Sequence, residues 1–180
     1  MSKFSNPAGQ PPDAVARYVR DLLELVGERD PLAVQRELLP ALENLCAGLG
    51  PAQLRQPEAP GKWSILGVLE HLVDQELVNA YRYRATLAED EPPLGGYDQD
   101  RWSARLHYGR AEASTLLAEL RVLRERNLRL FADLDAAELA RVGLHAEDGR
   151  LSLARMAALT AGHDLVHRRQ ITRIRAALDL

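Results

Sequence analysis

Cys46 is the only cysteine in the 180-residue chain, so no internal disulfide and no metal-thiolate cluster can form, and a reducing, cytoplasmic setting is expected. Long hydrophobic runs are also missing. No segment approaches the roughly 20 apolar residues that a membrane-spanning helix needs. The opening Met1-Ser2-Lys3-Phe4-Ser5-Asn6-Pro7 has no apolar run behind it, so neither export nor membrane insertion is expected. Neither sign of charge dominates: 23 Lys and Arg stand against 26 Asp and Glu, a net charge of -3 that gives no general pull toward nucleic acid. No alternating apolar run is long enough for a strand, no repeat recurs, and neither a serine-nucleophile motif nor a phosphate loop is present. What remains is 46% hydrophobic and 27% charged residues, enough for one ordinary core and hence one domain.

The apolar spacing is helical throughout, which predicts an all-α fold. Residues 1–12, polar and rich in Pro and Gly, read as a flexible tail, and residues 13–180 as a single helical domain. Asp13 is a candidate N-cap for a first helix carrying Val15, Tyr18, Val19, Leu22 and Val26. Asp30-Pro31 opens a second, with Leu38, Leu42, Leu45 and Leu49 in one seam and a kink or split expected at Pro40. Ser64 caps a third reaching about Asp90, a fourth carries Leu116, Leu120, Leu123, Leu130 and Leu134, and Ser152 caps the last. Such helices pack as a four-helix bundle with one additional N-terminal helix.

His163 and His167 stand four residues apart on the last helix, so their rings stack on one face and can reach one ion. Both fall on an inward stripe with Met156, Thr160, Ile171 and Ile174, where an unpartnered imidazole is costly. His71 borders the interior from the third helix and can supply a third nitrogen. Three neutral imidazoles without a fourth protein ligand are the donor set of an open catalytic site, whose remaining position takes water or substrate. Hydrogen-bonded core histidines are the competing reading. His107 and His145 are placed on the surface, with His145 also able to fold over the site as a proton carrier. Asp74 and Glu76 are candidates to orient a ligand or act as a base, or lie on a solvated helix face. Asn127 reads as a buried residue that fixes register, Trp63 as a staple before Ser64, Cys46 as a buried inert thiol, and the arginines from Arg121 to Arg129 as solvated.

Gly61-Lys62-Trp63-Ser64-Ile65-Leu66 leading into Glu70-His71-Leu72 resembles the second-helix motif of the DinB and YfiT superfamily of metal-dependent bundle proteins. Gly162-His163-Asp164-Leu165-Val166-His167 with Gln170-Ile171 is similar to that family's last-helix motif, and Pro92-Pro93-Leu94 with Gly96-Tyr97-Asp98-Gln99-Asp100 to its connecting loop. The resemblance covers about residues 32–178. It implies an up-down-down-up four-helix bundle, one divalent metal on His71, His163 and His167, nickel or zinc foremost with iron and manganese compatible, and a homodimer. Two functions then compete. One is a metal-dependent enzyme acting on a small molecule, either a hydrolase or a transferase using a low-molecular-weight thiol; the other is a non-catalytic metal- or ligand-binding module with a structural, sensing or stress-response role.

Overall fold

The computed structural model describes residues 10–180. Eight helices and three short strands follow one another: α1 (Pro12–Val26), α2 (Pro31–Cys46), α3 (Pro51–Arg55), α4 (Ile65–Ala88), β1 (Pro93–Leu94), α5 (Gln99–Arg105), α6 (Ala113–Ala132), α7 (Ala136–Leu139), β2 (Val142–His145), β3 (Gly149–Ser152) and α8 (Leu153–Ala177). The tail expected over residues 1–12 falls, up to residue 9, outside the described residues, and Pro12 already begins α1, so Asp13 sits in the first turn rather than at the cap.

The three remaining caps stand where expected. The Asp30 carboxylate accepts from the amides of Leu32 and Ala33, the Ser64 hydroxyl from Gly67, and the Ser152 hydroxyl from Arg155, each satisfying an amide the helix itself leaves unpaired. Ser64→Ala is expected to cost about 1 kcal/mol, read as a fall in Tm of about 2–4 °C in thermal unfolding. Pro40 does not split α2, which is one helix from Pro31 to Cys46. The ring lies on the exposed face, as does Arg36, whose carbonyl loses its usual partner there and can bond water instead.

Long helices α2, α4, α6 and α8 form the bundle, and cross-helix hydrogen bonds give their relative directions. Gln35 of α2 donates to the carbonyl of Ala157 early in α8, and Arg175 late in α8 to that of Leu45 late in α2, so these neighbours run parallel. Along α4, Asn79 and Tyr83 meet Thr160 while His71 meets His163, which makes α4 and α8 antiparallel. Glu70 pairs with the start of α6 and Arg84 with Asn127 further on, so α4 and α6 are parallel. The order is therefore up, down, down, up. Because α4 and α6 point the same way, residues 89–112 must carry the chain back along the bundle, and β1 and α5 lie in that crossover.

The bundle is all-α as expected, with one small three-stranded sheet added to it. β1 pairs parallel with β2, which forms an antiparallel hairpin with β3. Strands of two to four residues containing Pro93, Gly143, His145 and Arg150 carry no apolar alternation to be recognised by. Gly143 is needed for the sheet to dock: a Cβ there would lie 2.5 Å from Leu94 Cδ1 and 2.7 Å from Thr86 Oγ1.

Two apolar clusters fill the bundle. Leu42, Leu69, Leu72, Leu120, Ile171 and Ile174 pack one end, and Tyr83, Leu94, Phe131, Leu151, Leu153 and Met156 the other. Between them lies a belt of buried polar groups: Gln35, His71, Glu76, Asn79, Arg124, Asn127, Thr160, His163, Asp164 and His167. Polar groups are costly at that depth unless each finds a partner, so the belt marks where the fold gives up apolar packing for something else.

Candidate metal centre

His71 on α4 and His163 and His167 on α8 are 1%, 7% and 7% exposed. Their i, i+4 spacing stacks the two α8 rings, and the antiparallel crossing of α4 brings His71 against them. The Nε2 atoms converge: His71 to His163 at 3.0 Å and His163 to His167 at 3.1 Å. All three ligand atoms lie within 4.8 Å of one another. Metal–imidazole bonds of 2.0–2.1 Å in a tetrahedral site separate ligand nitrogens by about 3.3 Å, so the cluster is already near the spacing one ion requires.

Hydrogen bonding alone does not account for this arrangement. A neutral imidazole offers at Nε2 either one N–H or one lone pair, so His163 can bond one of its two neighbours well but not both. Burial holds His71 and His163 well below the ordinary histidine range, and the other rings of the cluster push the same way; burial takes His167 down to about 4. All three are therefore neutral at physiological pH, the form that binds a cation. The ring Nδ1 of His167 lies 2.8 Å from Gln170 Oε1, which fixes Nδ1 as the N–H and turns the Nε2 lone pair into the cluster. Among the described residues, Nδ1 of His71 and of His163 have no hydrogen-bond partner. The donor set, its spacing and its neutrality fit one divalent ion.

Around the histidines the sequence reading needs several corrections. Trp63 packs on the apolar cluster at the start of α4, as a staple residue does, and in addition lays its ring against the histidines, with centroids 5.0 Å from His71 and 6.5 Å from His167. Arg124, expected among solvated arginines, is 4% exposed, and Glu76 is 1% exposed rather than on a solvated face. Arg124 Nη2 is 2.8 Å from a Glu76 oxygen, and the guanidinium donates through both terminal nitrogens to Asp164, at 2.5 and 3.0 Å, in a bidentate pair. Burial nonetheless raises Asp164 to about 6, against the pull of Arg124. Asn127 is buried as expected; its amide donates to Glu76 at 2.9 Å and its oxygen accepts from Arg84 at 2.8 Å. Cys46 is buried, with its thiol pushed up to about 11 by burial, and His107 is exposed.

Of the proton-carrier candidates, Asp74 is half-buried and accepts from the Tyr108 hydroxyl. Burial raises its carboxyl above the usual range. Glu76 is committed to Arg124 and Asn127. His145, expected on the surface, is 8% exposed because the β2–β3 hairpin folds it inward, where the amides of Glu147 and Asp148 both point at its Nδ1. The Asp148 carboxylate lies 3.2 Å from the same nitrogen, so Nδ1 is held by the hairpin turn through two amides and one carboxylate. A pocket of about 120 Å³ runs from His163 past Gln75, Asn79 and Thr160 to Arg82, Tyr97 and His145. The structure thus brings His145 into one pocket with the histidine cluster, and leaves Asp74 and Glu76 outside it.

Comparison with known proteins agrees with this geometry. The model of the DinB superfamily matches residues 33–171. A protein of Bacillus mycoides (strain KBAB4) named "Putative metal-dependent hydrolase" is 29% identical over 127 residues, which are 71% of this chain and 73% of the relative. A Bacillus cereus (strain 03BB102) protein of the same name matches equally. Among solved structures, YfiT from Bacillus subtilis, described as a probable metal-dependent hydrolase with an unusual four-helix bundle topology, superposes with a TM-score of 0.77 at 25% identity, covering 83% of this chain and 86% of that one. None of the described helices is long and apolar enough to cross a membrane. With the family match spanning most of its length and all three histidines, this chain belongs to the DinB superfamily.

Proposed function

We propose that the protein is a metal-dependent hydrolase using one divalent ion, zinc or nickel, held by the Nε2 atoms of His71, His163 and His167. The observation that carries this reading is the convergence of three neutral buried nitrogens that hydrogen bonds among themselves cannot satisfy. The hydrolase names of the Bacillus relatives support the reaction class. An ion held by three imidazoles would supply Lewis-acid activation of water or of a substrate carbonyl.

The chain's own residues do the rest. Gln170 fixes the tautomer of His167. Trp63 covers the cluster on one side and excludes water from it. Asn79 and Thr160, bonded to each other at 3.0 Å, and Gln75 present polar groups along the pocket next to His163. His145, with Nδ1 held in the hairpin turn by two amides and the Asp148 carboxylate, is the proton carrier, with a ring that burial holds below the ordinary histidine range and so neutral at pH 7. Glu76 is assigned to the Arg124 network and not to proton transfer.

Zinc- or nickel-reconstituted protein, screened against small esters and amides, is expected to show turnover that His163→Ala abolishes. His145→Gln is expected to keep the metal and lose about 10²-fold in kcat. No turnover across the panel, or turnover that survives His163→Ala, contradicts the reading.

A further inference from the structure

Helix α1 lies outside the segment matched by the family, yet it forms one wall of the pocket that ends on His163. Tyr18, Val19 and Leu22 all line it, together with Met156, Leu159 and Leu151. What seats α1 there is Gly162, the residue before His163. A Cβ at Gly162 would stand 2.5 Å from the Leu22 carbonyl oxygen and 2.8 Å from Leu22 Cβ, so only glycine lets the α1 backbone approach α8 this closely. Val26 and Ala161 continue the same contact in a small apolar cluster with Val34 and Leu165. From α1, Tyr18 reaches toward the hairpin: its ring is buried enough to raise the hydroxyl well above the usual tyrosine range, and the Asp148 carboxylate on the hairpin turn adds to that rise. The pocket is thereby bounded by α1 on one side and by the hairpin on the other.

Its volume is about 120 Å³, room for about four water volumes and well under the roughly 300–1,000 Å³ of a site for a drug-sized ligand. The wall on the α1 side is apolar at Val19 and Leu22, whereas the end at His163 is polar at Gln75, Asn79 and Thr160.

We propose that α1 is the selectivity element of this pocket, with Tyr18 setting its depth, so that molecules with a polar, metal-binding head and a short apolar tail enter and longer ones are excluded. The inference rests on the metal reading above, because the head is taken to bind at His163. It assigns to the N-terminal helix a task distinct from holding the ion.

The test uses cobalt(II)-loaded protein and two probes, acetohydroxamate and octanohydroxamate, whose binding is followed by the cobalt d–d absorption. Wild type is expected to bind the short probe at least about tenfold more tightly, since the six additional carbons of the long one do not fit the space of about 120 Å³ that Tyr18 bounds. Tyr18→Ala is expected to keep its cobalt and move the ratio of the two Kd values at least about tenfold toward the long probe. Gly162→Ala, which pushes α1 outward, is expected to move the ratio in the same direction. An unchanged ratio in Tyr18→Ala with full cobalt content overturns the role of α1 and leaves the metal centre standing, as does a wild type that already prefers the long probe. Failure of wild type to take up cobalt overturns the metal reading and this inference together.

Discussion

Arg124→Ala is expected to destabilise the protein by about 3–5 kcal/mol, more than any apolar truncation of one methyl in the same bundle. The reason is not the loss of a favourable ion pair as such. With Arg124 present, two buried carboxylates share one cation, and Asp164 is already raised to about 6. Without it, Glu76 and Asp164 remain buried with no counter-charge, and the Gln35 carbonyl that accepts from Arg124 at 3.0 Å loses a donor as well. For a chain of this length the change corresponds to a fall in Tm of roughly 10 °C. The same logic makes the network non-additive. Arg124→Met combined with Glu76→Leu and Asp164→Leu removes every charge at once and is expected to be more stable than Arg124→Ala alone. Thermal or urea unfolding of both variants decides this; a combined variant that is the less stable of the two contradicts the account.

His71→Ala is expected to weaken nickel binding by more than about 100-fold, the upper end of what changes outside the ligand shell cost, while leaving the helical content of the metal-free protein intact. Trp63 provides the readout, since its ring lies against both His71 and His167, whereas Trp102 packs on Tyr97. Nickel is therefore expected to quench part of the tryptophan fluorescence of wild type at one equivalent, and to do so in His71→Ala only at far higher concentration. The metal-free variant retains its helices because both apolar clusters keep all their side chains, while the cavity left by the buried His71 ring lowers its Tm. Equal quenching curves for the two proteins would remove His71 from the site.

Periodicity made the long helices and their caps legible, because Ser64, Asp30 and Ser152 act through local rules that need no tertiary partner. His163 and His167 were legible for the same reason: four residues on a helix is a fixed distance. On α6 the buried residues are Leu116, Leu120, Arg124, Asn127 and Phe131, an unbroken i+4, i+4, i+3, i+4 stripe, whereas Leu123 and Leu130, the more apolar choices, are only half-buried. The spacing alone places Arg124 inside, and a buried guanidinium requires carboxylates such as Glu76 and Asp164. The inward position of His145 carried no such signal, because it depends on a four-residue strand pairing with β1 from 50 residues away in sequence. Nor did the role of Trp63, which is set by the crossing of α4 and α8, or that of Tyr18, which depends on a close approach at Gly162.

Metal content of protein purified without a histidine-rich tag tests the central claim most directly. Elemental analysis is expected to find about one equivalent of zinc or nickel per chain in wild type, and almost none in His71→Ala or His163→Ala. Wild type that takes up no divalent metal even after reconstitution, or variants that retain as much as wild type, would contradict a three-histidine metal centre.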